Sequence, residues 1–171
     1  MAGNRELLAL LAVLCAVIGW SWVNPYDRLT WWLESIPALV GILILGWTRR
    51  SFPLTRLLYW LIFAHALVLV VGGHYTYARV PLGFWLQDVL DFARNPYDRI
   101  GHIAQGFVPA LIARELLLRK GVIEAGGWLF FVVTCIALAL SAFYEIIEWW
   151  SAVVGGDGSV EFLGTQGDVW D

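Results

Sequence analysis

The stretch LLYWLIFAHALVLVVGGHYTYA, residues 57–78, contains no Asp, Glu, Lys or Arg. A hydrocarbon core about 30 Å thick is crossed by roughly 20 helical residues, and within a single segment only a helix satisfies its own backbone hydrogen bonds there. The stretch is long enough and apolar enough to meet this requirement. It therefore predicts a transmembrane helix.

Similar stretches occur on both sides of it. We expect five spans, at residues 7–26, 29–48, 57–78, 99–118 and 126–150. The chain is 60% hydrophobic and 15% charged, whereas soluble domains average about 45–50% and 25%. This composition excludes a soluble globule, and a net charge of −3 argues against a nucleic-acid partner. We predict an all-α fold, a polytopic transmembrane helical bundle forming a single membrane domain over residues 1–171.

The basic residues predict the direction of the spans. If five spans alternate, seven of the eleven Lys and Arg residues fall on one side: Arg5, Arg49, Arg50, Arg56, Arg114, Arg119 and Lys120. The positive-inside rule assigns that side to the cytoplasm. We therefore expect a multi-pass membrane protein with a cytoplasmic N-terminus and membrane lipid around it.

A five-residue motif occurs twice, as NPYDR at Asn24–Arg28 and again at Asn95–Arg99. Asn favours the N-cap, Pro the first helical position, and Asp the first turn, so the motif predicts helix starts. Both copies precede an outside-to-inside span, which indicates a bundle of repeated helical hairpins. Two alternatives stay open: a bundle of five spans, or a sixth span after Asp171.

Ionisable residues concentrate at the predicted outer ends of the spans. Asp98 and His102 are four residues apart, so they share one helical face. Glu145 and Glu148 lie near a helix C-terminus, where the helix dipole disfavours anions. Something positive should neutralise them. A structural network with Arg79, Arg94 or Arg99 and a bound metal cation are the two alternatives.

His74 is expected at the same depth, at the end of the third span. Asp168 and Asp171 would share a face if a helix begins there. The predicted metal ligands are therefore His74, Asp98, His102, Glu145, Glu148, Asp168 and Asp171. Such mixed nitrogen and oxygen donors suit zinc, manganese or iron, and a carboxylate subset suits calcium. His65, near mid-span, is instead expected to be a buried, hydrogen-bonded histidine.

Several polar motifs occur in one order along the chain: Gly73-His74-Tyr75, Arg94 to His102, Gln105-Gly106-Phe107, Tyr144 to Trp149, and Gly164 to Asp168. In these motifs the chain resembles the YjdF-like family of bacterial inner-membrane proteins over essentially its whole length. The resemblance implies a small polytopic inner-membrane protein and carries over no particular reaction. It also implies that the family pattern continues after Asp171 with further acidic residues and an apolar span.

The leading functional hypothesis is a divalent-metal site facing the periplasm and serving membrane-embedded hydrolytic or transfer chemistry on a lipid-like substrate. Glu145 and Glu148 would be the catalytic residues, as ligand or base. The alternatives are a cation or proton transporter and a non-catalytic subunit or assembly factor, alone or as a homo-oligomer. A transporter would need a polar path to the cytoplasm, for which the sequence offers only His65 and Glu34.

Overall fold

The computed structural model describes residues 3–155, and within that range the chain is helical with no strand. This confirms the all-α prediction. The described elements are α1 (Asn4–Trp22), α2 (Arg28–Thr48), α3 (Arg56–Tyr75), a 3-10 turn (Tyr77–Arg79), α4 (Pro81–Leu90), α5 (Tyr97–Arg119) and α6 (Gly127–Gly155).

Four of these helices are long and apolar enough to cross a membrane: α1, α2, α3 and the Gly127–Ser151 part of α6. The chain is thus a polytopic helical membrane protein. α5 has 23 residues, about 35 Å at 1.5 Å per residue, but it carries charged side chains at both ends. The fifth crossing at residues 99–118 stays a prediction.

Two helices end earlier than the charge pattern predicted. α1 ends at Trp22 rather than residue 26, because Asn24 has a φ of 51° and Pro25 follows it. α3 ends at Tyr75 rather than residue 78, because Thr76 has a φ of 59°. A residue with a positive φ breaks the helical hydrogen-bond ladder. The residues that follow each break carry no charge until Asp27 and Arg79, so the charge-free stretch is longer than the helix.

α3 is the central helix of the bundle, packing against α1, α2 and α5, while α6 packs against α5. The buried contacts between α1, α2 and α3 include Leu14, Ala38, Ala66 and Val70. We call the end of the bundle where α1 ends and α2 begins the site end. The opposite end, where α2 ends and α3 begins, is the basic end.

The two copies of the repeated motif start their helices differently. In the first copy, Asp27 rather than Asn24 is the N-cap, and its Oδ1 accepts from the Thr30 N–H at 2.7 Å. In the second copy the helix begins at Tyr97, and Asn95 Oδ1 accepts from the Tyr97 N–H at 3.0 Å. In this copy the N-cap is Pro96, one residue after Asn95, so the prediction that Asn is the N-cap is wrong for both copies. Each copy does open one of the packed pairs, α2–α3 and α5–α6.

Residues between the third and fourth predicted spans form a helix that the sequence analysis did not anticipate. α4 has ten residues, about 15 Å, which is too short to cross the membrane. Asn95 holds it in place through bonds from Nδ2 to the carbonyls of Ala78 and Val80, both 3.1 Å. A Cβ at Gly83 of α4 would collide with the Asn95 side chain, so α4 approaches this residue closely.

At the basic end, polar contacts join α1, α3 and α5. The Arg56 Nε lies 2.7 Å from Glu6 Oε1, which also accepts from the Trp60 indole at 2.8 Å. Glu115 accepts from the backbone N–H of Thr55 at 2.9 Å and from its hydroxyl at 2.7 Å. These contacts fix the register of the helices at one end of the bundle.

At the site end, the Tyr77 ring fills a slot between α3 and α5 that only glycines leave open. A Cβ at Gly72 would lie 2.6 Å from the ring, and a Cβ at Gly101 would lie 2.7 Å from it. Real Cβ atoms do not approach this closely without displacement of a neighbour. The slot lets the tyrosine reach from the turn after α3 into the bundle interior.

Gly101→Ala is expected to lower the free energy of unfolding by about 1–3 kcal/mol, the usual cost of overpacking. Gly106→Ala on the same helix is the matched control, because its added Cβ meets nothing within 4 Å. Alanine is the better helix former, so the control should be neutral or stabilised by up to about 1 kcal/mol. Denaturant unfolding in detergent micelles measures both. Equal stabilities of the two variants would contradict a slot filled by Tyr77.

Candidate functional site

Glu34 is the acid at the centre of the site end. The residue exposes only 3% of its surface, and its Oε2 accepts from the Tyr77 hydroxyl at 2.7 Å and from the Tyr144 hydroxyl at 3.3 Å. The Tyr144 hydroxyl also lies 3.2 Å from the Leu33 carbonyl, which links α6 to α2. A buried carboxyl thus obtains the hydrogen bonds that burial demands.

The Tyr77 hydroxyl is held in its protonated, donating form. Burial, and then the negative charge of Glu34, raise the pKa of this phenol well above its usual range. Both effects disfavour a second anion next to the first. Tyr77 therefore acts as a hydrogen-bond donor to Glu34.

His102 joins α5 to α6 by contacting two carboxylates. Its Nε2 lies 3.3 Å from Asp98 Oδ2 and its Nδ1 lies 3.3 Å from Glu145 Oε1. The contact with Asp98 confirms that these two residues share one helical face. An imidazole can pair with both carboxylates at once when it is protonated, so His102 is a countercharge that lies inside the site itself.

Glu148 lies one helical turn beyond Glu145 on α6. It interacts electrostatically with Glu34, Glu145, His102 and Asp98. α2, α5 and α6 thus bring four carboxyl groups and one imidazole together at the site end. We call this set the acidic cluster: Glu34, Asp98, His102, Glu145 and Glu148.

The remaining predicted ligands are placed elsewhere or lie outside the described range. The side chain of His74 contacts α1, with Nδ1 2.9 Å from the Ser21 carbonyl and its ring 4.3 Å from that of Trp20. Its depth matches the prediction, but the ring turns toward α1 rather than toward the acidic cluster. Asp168 and Asp171 lie outside residues 3–155, so their predicted contribution stays a prediction.

The described side chains do not form a metal site. Within residues 3–155, no three His, Cys, Asp or Glu residues are placed to hold one ion. Both ring nitrogens of His102 already face carboxylates, so a metal would have to displace one of them. A metal-ligand role for His102 therefore has no support from this geometry.

The sequence analysis did not identify buried Glu34 and its two hydrogen-bond donors, Tyr77 and Tyr144, as part of the site. Glu34 is the one charged residue in a span of twenty, which was a usable signal because ionisable residues inside a membrane segment are functional by default. Tyr77 and Tyr144 gave no such signal, since tyrosines at span ends are common interfacial residues.

Comparison with known proteins places the chain in a family. Residues 6–171 match the family described as "Predicted membrane protein (DUF2238)". The chain belongs to this family. It is 50% identical over 168 residues to the Inner membrane protein YjdF of Escherichia coli (strain K12), an alignment that covers 98% of this chain and 78% of that relative. No solved structure matches it. The resemblance and the inner-membrane location predicted from the sequence are confirmed.

Tyr77→Phe is expected to lower the free energy of unfolding by about 1.5–3 kcal/mol, because it removes the shorter of two hydrogen bonds to a buried carboxyl. Tyr97→Phe is the matched control, since that hydroxyl donates to the neutral Val68 carbonyl at 3.1 Å. The control should lose only about 0.5–1.5 kcal/mol. Unfolding in micelles compares the two. A larger loss for Tyr97→Phe would contradict the central position given to the Tyr77–Glu34 bond.

Proposed function

We propose that this inner-membrane protein carries an acid–base centre that serves hydrolytic or transfer chemistry on a lipid-like substrate at the periplasmic side. The supporting observation is the chain of groups Glu145, His102 and Asp98, which runs from an exposed carboxyl to a sheltered one. Side-chain exposure falls from 50% at Glu145 through 39% at His102 to 14% at Asp98.

The arrangement suits proton transfer. Glu145 is accessible to an amphiphile or a water molecule, and it is the group that would accept or donate the proton. His102 contacts Glu145 directly and would pass the charge on, while Asp98 orients the ring by holding its other nitrogen. The contacts of the ring with Asp98 and Glu145 favour a positive charge on the imidazole during transfer.

A divalent cation at the cluster is the second candidate, favoured by the excess of carboxyl groups over positive groups. Four carboxyl groups face one imidazole, and like charges in a low-dielectric site need neutralisation. Asp98, Glu145 and Glu148 are the carboxyls that would supply oxygen ligands, but they would have to move to reach one ion, because no three such residues within 3–155 are placed to hold one. Asp168 and Asp171 are the further predicted ligands. Zinc, manganese, iron and calcium are the ions to test.

Any lipid that accumulates when the wild-type protein is overproduced is taken as the product. Glu145→Gln is expected to reduce its formation by at least about 100-fold, the usual contribution of a positioned acid or base. Glu124→Gln, which removes an exposed carboxyl at the basic end, should leave product formation unchanged. Lipid extracts from cells that overproduce each protein are compared by mass spectrometry. His102→Gln should follow Glu145→Gln, and His74→Gln should resemble wild type, because His74 contacts α1.

The outcomes separate the candidates. Lipid extracts that are identical with and without the wild-type protein would contradict catalysis and favour a non-catalytic subunit of a membrane complex. Elemental analysis of purified wild type beside the Glu145→Gln, Glu148→Gln double variant tests the cation. Equal metal content in both would exclude the metal site and leave the acid–base centre standing.

We also propose that the basic end faces the cytoplasm, which places the N-terminus there and the acidic cluster at the periplasmic side. Arg49, Arg50, Arg56 and Arg119 all lie at the basic end, as the positive-inside rule requires of cytoplasmic loops. The acids of the cluster have the opposite location, so the two ends differ strongly in charge.

Cysteine labelling checks this orientation. In a background with Cys15→Ser and Cys135→Ser, Ser51→Cys lies between α2 and α3 at the basic end, and Asp91→Cys lies at the end of α4. A membrane-impermeant maleimide should label Asp91→Cys in spheroplasts, and should label Ser51→Cys only after the membrane is permeabilised. The reverse pattern would overturn the proposed orientation.

A further inference from the structure

A second region of the molecule, away from the acidic cluster, has the form of a ligand site. α1 and α2 both pack on α3, and between them lies a cavity of about 710 Å³. Its walls are almost entirely aliphatic and aromatic, with Leu11 from α1, Leu43 from α2 and Phe63 from α3 among them. The volume lies within the usual 300–1,000 Å³ of a ligand pocket.

The cavity opens sideways into the surrounding hydrocarbon. Leu8, Leu43 and Trp47 line it and are 59%, 72% and 87% exposed. In a bilayer such a groove is filled by lipid or by another apolar group, because an empty space of this size would forfeit the dispersion contacts of its lining.

The depth of the groove matches one leaflet. On α2 its lining runs from Pro37 to Arg49, about 18 Å at 1.5 Å per residue. Half of a 30 Å hydrocarbon core is about 15 Å. An extended acyl chain that enters from the basic end would therefore be enclosed along most of its length.

The entrance carries positive charge. Arg49 lines the cavity, and its guanidinium contacts the neutral side-chain oxygen of Asn4 across the gap between α2 and α1. Arg5 and Arg50 are exposed at the same end. Glu6, the acid nearest in sequence to this entrance, is paired with Arg56. The rim therefore favours an anionic headgroup.

We propose that this groove binds one acyl chain of an anionic phospholipid, with the phosphate at Arg49. The site is distinct from the acidic cluster and does not depend on the activity proposed for it. It takes its lipid from the leaflet at the basic end, whereas the cluster lies at the opposite end of the bundle.

Native mass spectrometry tests the proposal. Wild-type protein released from nanodiscs of equal parts phosphatidylglycerol and phosphatidylcholine should retain one phosphatidylglycerol. Gly41→Phe should abolish retention, because Gly41 lines the groove and its Cβ meets nothing within 4 Å, so the ring fills the groove without a backbone clash. Gly19→Phe is the matched control, since its Cβ position is equally open and Gly19 is not among the groove lining.

Two further variants refine the result. Arg49→Gln should weaken phosphatidylglycerol retention about five-fold, and Arg114→Gln, a basic residue that does not line the groove, should not. Gly46→Leu gives a second filled groove should Gly41→Phe fail to fold. Retention of lipid by both filled variants, equal retention of the two lipids by wild type, or a lipid-free dimer would each overturn the proposal.

A His65 variant tests whether the occupant is an acyl chain or a ligand that hydrogen-bonds to the imidazole. His65 lines this cavity, and its buried Nε2 has no hydrogen-bond partner among residues 3–155. An acyl chain needs no such bond, so His65→Leu should keep phosphatidylglycerol. Loss of the lipid in this variant would contradict an acyl chain as the occupant.

Discussion

The hydrogen bond from Tyr77 to Glu34 is the interaction on which the site end depends. An acid this deeply buried is tolerable only with donors aimed at it. The donor comes from a turn outside the spans, so its ring has to pass between α3 and α5. Gly72 and Gly101 leave that passage open, and any larger residue would fill it. A single buried carboxyl thus dictates small residues on one face of each of two helices.

The same carboxyl also organises the charges around it. Tyr144 ties α6 to Glu34, which brings Glu145 and Glu148 beside Asp98 on α5. Four carboxyl groups at this spacing would repel one another strongly in a low-dielectric medium. His102 relieves part of that repulsion because it contacts two of them. The proposed acid–base centre and the proposed cation site both draw on the repulsion that His102 leaves unrelieved.

Much of the fold, and about half of the site, follows from the sequence. Charge-free runs such as residues 57–78 must become helices in lipid, and the four-residue spacing of Asp98 and His102 sets a shared face. The position of a residue along the bundle could be predicted in this way, but the rotation of one helix against another could not. His74 lies at the expected depth and turns toward α1. The role of Tyr77 could not be predicted because it depends on a break in the helix at Thr76. α4 was not predicted because ten residues are too few to be recognised as a membrane span.

The contrast between the two ends of the bundle follows from how α1 and α2 are joined. At the site end the chain between them is short, and the Trp31 indole donates to the Ser21 hydroxyl at 3.0 Å, so the two helices are held together there. Toward the basic end they separate over α3, and the gap is bridged at its rim by Arg49 and Asn4. Closure at one end packs the two helices together beside the polar groups of the site end. Separation at the other end creates the apolar groove between them. One pair of helices is therefore held together at the polar end of the bundle and parted along the apolar groove.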